Sequence, residues 1–125
     1  MRTARFFALW LAVAALAACG TTGLVVPTSP AQAVYQAHGN YAAGLAVLLQ
    51  YKALPDCAPA STVLCKDPAK LKELLEEDEK AFQALSKAQA VVRGDMGPAA
   101  NQAARDAEKA IAAFRAKTAT VKVQP

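Results

Sequence analysis

Three cysteines, a single histidine and one acidic run are the side chains of this 125-residue chain that could do chemistry. Cys19 closes the apolar stretch Leu11-Ala12-Val13-Ala14-Ala15-Leu16-Ala17-Ala18, and nothing nearby could pair with it. Cys57 and Cys65 bracket the seven residues Ala58–Leu64. A thiol can fill a core, form a disulfide, bind a metal or carry a covalently attached group. His38 has no second ligand or motif-placed nucleophile beside it in sequence, so it reads as solvent-facing or hydrogen-bonded. Glu76-Glu77-Asp78-Glu79 offers adjacent carboxylates, the raw material of general acid–base catalysis. On a helix, however, such a run is ordinarily a solvated face.

Asp78 departs from that pattern. By helical angle it falls inside the apolar stripe of Leu74, Leu75, Ala81 and Phe82, with Gln89 on the same line. A carboxylate there needs a partner such as a tyrosine hydroxyl or a lysine, and a structural polar contact is the expected outcome. Arg93-Gly94-Asp95 spells an integrin-binding tripeptide, but it coincides with a helix end that wants a glycine. The chain contains no G-x-S-x-G, no phosphate-binding glycine loop and no H-E-x-x-H. The sequence assembles no active site and no metal centre, and the expectation is that the protein is not an enzyme.

The residues in front of Cys19 give that thiol a purpose. Arg2 and Arg5 are the only charged residues before Lys52, and Phe6 to Ala18 is unbroken by any polar side chain. A basic start, an apolar run of about a dozen residues and small residues at its end make a secretory signal segment. The run is shorter than the roughly 20 residues a membrane-crossing helix needs. Leu16-Ala17-Ala18-Cys19 then resembles the lipobox of bacterial lipoprotein precursors: leucine, two small residues, cysteine.

The resemblance covers only these first residues. It implies that the Cys19 thiol carries a diacylglycerol and that signal peptidase II cuts between Ala18 and Cys19. It further implies an N-acyl chain on the new amine and no other cofactor. Several acyl chains together anchor a protein stably, where one alone binds a membrane only marginally. In many lipoproteins an aspartate after the cysteine retains them in the inner membrane. Gly20 in that place implies the outer membrane, facing the periplasm. The competing reading is ordinary secretory cleavage near Ala15-Leu16-Ala17, releasing a soluble chain.

Export also bears on the other two cysteines. In an oxidising compartment, two cysteines flanking one loop form a disulfide, and with Cys19 acylated the count is even. C-x7-C with no nearby histidine is a poor zinc spacing, and a redox dithiol usually reads C-x-x-C. Without Arg2 and Arg5 the 14 basic residues become 12 against 10 acidic, a net charge near +2. No cluster of Lys or Arg is interleaved with aromatics, so a nucleic-acid surface has no support.

Behind these sites the chain divides into a signal segment over residues 1–18, an acylated cysteine and tether over 19–30, and a helical domain over 31–125. The tether Gly20–Pro30 holds two glycines, two prolines and four hydroxyls, and reaches at most roughly 35–40 Å when extended. Three helices follow. The first runs from Pro30 to about Leu54, with Val34, Ala37, Tyr41, Gly44, Leu45, Leu48 and Tyr51 on one face. Gly44 suits a closely packed neighbour, and Gly39-Asn40 is a place to bend.

The second helix starts at Asp67-Pro68, where Asp caps and Pro needs no amide hydrogen. Its stripe is Leu71, Leu74, Leu75, Ala81, Phe82, Leu85, Ala88 and Val92, and on its other side Glu76 and Lys80 form an i,i+4 pair. The third runs from Pro98 to about Thr118, with Ala100, Ala104, Ala107, Ile111, Phe114 and Thr118 inward. The expected fold is all-α: a small antiparallel three-helix bundle, or a long helical hairpin with a third helix. A core so rich in alanine is thin and wants a staple or a partner.

The function this supports is a membrane-anchored structural or protein-interaction module of the envelope, in contact with membrane lipid and an envelope protein. One rival is a carrier or sensor enclosing a small apolar ligand among Tyr35, Tyr41, Tyr51 and Phe82. Others are a lysis or conjugation accessory lipoprotein of a mobile element, and an inhibitor whose Cys57–Cys65 loop is the wedge.

Overall fold

The structure, a computed structural model, describes residues 26–58, 64–94 and 97–123. Cys19, the cleavage site at Ala18 and most of the tether lie outside the described residues, as do Asp95 and the centre of the Cys57–Cys65 loop. Three helices make the fold, an all-α three-helix bundle: α1 Pro30–Ala53, α2 Pro68–Gly94 and α3 Pro98–Thr118. Each begins on proline, whose missing amide hydrogen costs nothing in the first turn. α2 runs antiparallel to both neighbours, so α1 and α3 lie parallel. All three pack against one another.

Local chemistry sets the boundaries. The Ser29 hydroxyl accepts from the Gln32 amide and starts α1. Asp67 does the same for α2, its Oδ1 accepting from the amides of Ala69 at 2.7 Å and Lys70 at 3.2 Å. The chain leaves α1 at Leu54, which is extended.

The core sits where the three stripes meet. Phe114, Leu48 and Leu74 are its largest fully buried side chains. Around them lie Val34, Tyr51, Leu85 and Ile111, with Ala33, Ala37, Ala81, Ala88, Ala103, Ala104 and Ala107. Alanine lets the backbones approach closely but buries little area per residue. The α1–α3 crossing is tight at Gly44. A Cβ placed on Gly44 would lie 2.7 Å from Phe114 Cε1.

The inward stripe of α2 is narrower than its periodicity suggests. Leu74, Ala81, Leu85 and Ala88 are buried, whereas Leu75 is 41% and Phe82 52% exposed. Both lie on the flank of α2 that turns toward α1, beyond the reach of α3. Phe82 meets the Tyr41 ring on one side, at 6.4 Å between centroids, and is open on the other. Lys80 also chooses a different partner, pairing with Glu77 at 2.7 Å rather than with Glu76.

Candidate functional site

Asp78 finds the tyrosine its position demands. The Tyr41 hydroxyl donates to Asp78 Oδ1 at 2.8 Å, tying the middle of α1 to the middle of α2. Burial and the neighbouring Asp78 carboxylate, helped by Glu79, push the Tyr41 hydroxyl up to about 12. A tyrosine poised for acid–base chemistry near neutrality needs the opposite shift. This pair holds its proton and works as a strut. The Tyr41 ring also packs on Phe114 at 5.8 Å, so one residue touches both other helices. Gln89 is half-buried and lies roughly 16 Å further along α2, so it is no part of this contact.

Cys57 and Cys65 are joined in a disulfide at the end of the bundle where α1 hands over to α2. The neck of that loop is itself pinned. Cys57 N donates to Lys66 O at 3.1 Å and Lys66 N to Pro55 O at 2.8 Å, forming an isolated parallel bridge between Asp56 and Lys66. The Lys66 ammonium closes the neck by donating to Leu54 O at 2.7 Å and pairing with Asp56 at 3.3 Å. Tyr51, in the last turn of α1, accepts from the Asp67 amide through its hydroxyl at 2.8 Å. The neck of the loop is therefore tied to the start of the helix that follows it.

Beside this end lies an open cleft of about 560 Å³, lined by Tyr51, Leu64, Cys65, Asp67, Lys70 and Lys122 among others. Its charged groups are largely engaged: Asp67 caps α2, and Lys70 pairs with Glu73 at 2.9 Å. Glu73 also accepts from the Lys117 ammonium across the α2–α3 seam. Hydrogen bonds from Lys117 and then Lys70 pull the Glu73 carboxyl down to about 2. Nothing in the local sequence marks this pairing, since Glu73 and Lys117 stand 44 residues apart.

The aromatic quartet Tyr35, Tyr41, Tyr51 and Phe82 does not enclose an apolar cavity. Tyr35 is 80% exposed on the outer side of α1, and Tyr51 and Tyr41 are committed to Asp67 and Asp78. His38 is exposed on the same helix. Among the described residues no group of His, Cys, Asp and Glu could hold a metal ion, and no helix is long and apolar enough to cross a membrane. No protein-family model, curated protein or solved structure matches this chain.

Proposed function

We infer that this protein is a lipoprotein of the bacterial envelope, acylated at Cys19, that displays its bundle as a structural or protein-interaction module. The observation that carries the reading is the lipobox-like Leu16-Ala17-Ala18-Cys19, placed at the end of an apolar run behind Arg2 and Arg5. Two features support it. Pairing of Cys57 with Cys65 suits an exported protein and leaves Cys19 as the single unpaired thiol. The residues between Cys19 and Pro30 have the composition of a spacer, long enough to lift the bundle clear of lipid headgroups.

The proposed lipid is a diacylglycerol on the thiol with an N-acyl chain on the amine, and Gly20 favours the outer membrane, facing the periplasm. The bundle then acts by presenting surfaces rather than by catalysis. The Tyr41 strut holds its proton, and the Glu73 carboxylate is engaged by Lys70 and Lys117. Fractionation of cells tests the anchor. Wild type should sediment with membranes and stay there in high salt, whereas Cys19→Ser should appear in the soluble fraction or as an uncleaved precursor. Wild type recovered as a soluble periplasmic chain would remove the reading.

A further inference from the structure

The last residues before α1 are fixed to the bundle. The Thr28 amide and the Thr28 hydroxyl both donate to Gln32 Oε1, at 2.9 and 3.0 Å, and the Ser29 hydroxyl accepts from the Gln32 amide at 3.2 Å. Gln32, in the first turn of α1, thus holds two consecutive residues of the chain that leads into it. Pro27 to Pro30 also wall a cleft of about 190 Å³, whose other side is Asn101, Ala104, Arg105 and Glu108 of α3. The chain therefore enters α1 by way of α3.

Exposure alternates along this segment up to the helix. Val26 is 77% exposed and Thr28 is exposed, whereas Pro27 and Ser29 are half-buried. Ser29 is extended, and successive side chains of an extended chain point to opposite sides. Odd-numbered positions face the bundle here and even-numbered ones face solvent. Carried one step upstream, the pattern turns Val25 inward and Leu24 outward. Val25 lies outside the described residues, two positions before Pro27 and so within about 7 Å of it. The cleft suits a branched aliphatic side chain: its floor includes the buried Ala33 and Ala104, and Pro27 and Pro30 stand at its rim.

We propose that Val25 seats in this cleft, so that Val25, Pro27 and Ser29 form a strap between α1 and α3. A valine buried there adds apolar area to a bundle whose core is rich in alanine. It also joins the first turns of two helices whose link in sequence passes through the whole of α2. A bilayer is the other surface that Leu24-Val25-Val26 could meet. The fixed Thr28 and Ser29 favour the cleft, because they hold the chain beside α3 just where that triplet ends.

The strap sets how the bundle is displayed, a consequence that rests on reading Cys19 as the anchor. With Val25 seated, the spacer between lipid and bundle shortens to Gly20–Leu24, roughly 17 Å at full extension. That still exceeds the headgroup layer of about 5–8 Å. The strap lies at the end where α1 and α3 begin, and α1 runs 24 residues, about 36 Å, toward the neck of the Cys57–Cys65 loop. The disulfide end is thus the one held away from the membrane.

The test uses residues 19–125 carrying Cys19→Ser, which removes the lipid and retains all the described residues. Val25→Asn should lower its thermal midpoint by about 4 °C or more, the shift expected when a domain of this size loses one buried apolar contact. Leu24→Asn, one residue away, should leave the midpoint unchanged. Removing residues 19–26 should reproduce the Val25→Asn drop. On oxidation, Val25→Cys with Asn101→Cys should close a disulfide, and Val25→Cys with Lys87→Cys on the exposed side of α2 should not. Equal midpoints with and without Val25→Asn would overturn the proposal. So would equal drops at positions 24 and 25, or equal cross-linking to 101 and 87. A Val25→Asn chain that melts unchanged but binds phosphatidylethanolamine vesicles more weakly would overturn it in favour of a bilayer contact. The chain tested is unacylated, so failure of the strap and failure of the anchor are told apart.

Discussion

The Tyr41 hydroxyl donates to Asp78 Oδ1 at 2.8 Å, and this one bond crosses between α1 and α2 at the level where Phe82 and Phe114 flank the same tyrosine ring. Removing the hydroxyl leaves a half-buried carboxylate without its partner while keeping the ring packing. Tyr41→Phe should therefore destabilise the bundle by about 1.5–3 kcal/mol, as expected for a hydrogen bond to a charged acceptor. Urea unfolding of the two proteins measures this directly.

The same contact makes an alkaline prediction. The Tyr41 hydroxyl is raised from 10.0 to about 12 by burial and then by Asp78. A group whose folded pKa is raised contributes stability in full below its unfolded value, and loses it as pH rises through the folded one. The Tyr41 contribution should hold up to about pH 10 and decline toward pH 12. The difference in phenolate absorbance between wild type and Tyr41→Phe, followed against pH, gives the titration of this residue alone.

Two glycines of α1 should respond in opposite directions to one substitution. A Cβ on Gly39 meets nothing within 4 Å, so Gly39→Ala should stabilise by about 0.5–1 kcal/mol through helix propensity. A Cβ on Gly44 would press into the Phe114 ring at 2.7 Å, far inside contact distance. Overpacking outweighs propensity there, and Gly44→Ala should destabilise by about 1–3 kcal/mol. Chemical denaturation of the two variants checks both signs.

Reduction of Cys57–Cys65 opens a nine-residue ring, counting both cysteines. The chain-entropy estimate for that ring is about 2–3 kcal/mol. In a domain this small it should lower the thermal midpoint by about 10 °C or more. Melting curves with and without reductant test this. Coinciding curves would mean that the Lys66 bridge alone holds the neck of the loop.

Glu73 should titrate unusually low. Its carboxyl is pulled down from 4.5 to about 2 by the hydrogen bonds from Lys117 and then Lys70. A depressed carboxylate contributes stability above its unfolded pKa, and that contribution is lost as pH falls from about 4.5 toward 2. NMR titration of the side-chain carboxyl should show the low value in wild type and a clear rise in Lys117→Met.

What could be read in advance follows from the range of the interactions. Asp67-Pro68 announces α2 because capping is settled within one turn. The stripe from Val34 to Tyr51 announces the buried face of α1, since it repeats over about five turns. Asp78 could be singled out because a carboxylate inside an apolar stripe must find a donor nearby in space. Glu73–Lys117 could not, for it joins helices whose relative register no local pattern encodes.

Leu75 and Phe82 were misplaced for a related reason. Helical angle says which way a residue points, but only the closure of α1 against α2 decides whether anything covers it. The lipobox-like Leu16-Ala17-Ala18-Cys19 can be picked out because a motif of that kind is linear and independent of the fold.

The central claim is the covalent anchor at Cys19, and intact mass spectrometry of the protein from membranes tests it most directly. Wild type should have the mass of residues 19–125 plus a diacylglycerol and an N-linked acyl chain, and Cys19→Ser should carry neither. A wild-type chain with no added lipid, cut upstream of Cys19, would contradict the account and leave that thiol free to bridge a second chain.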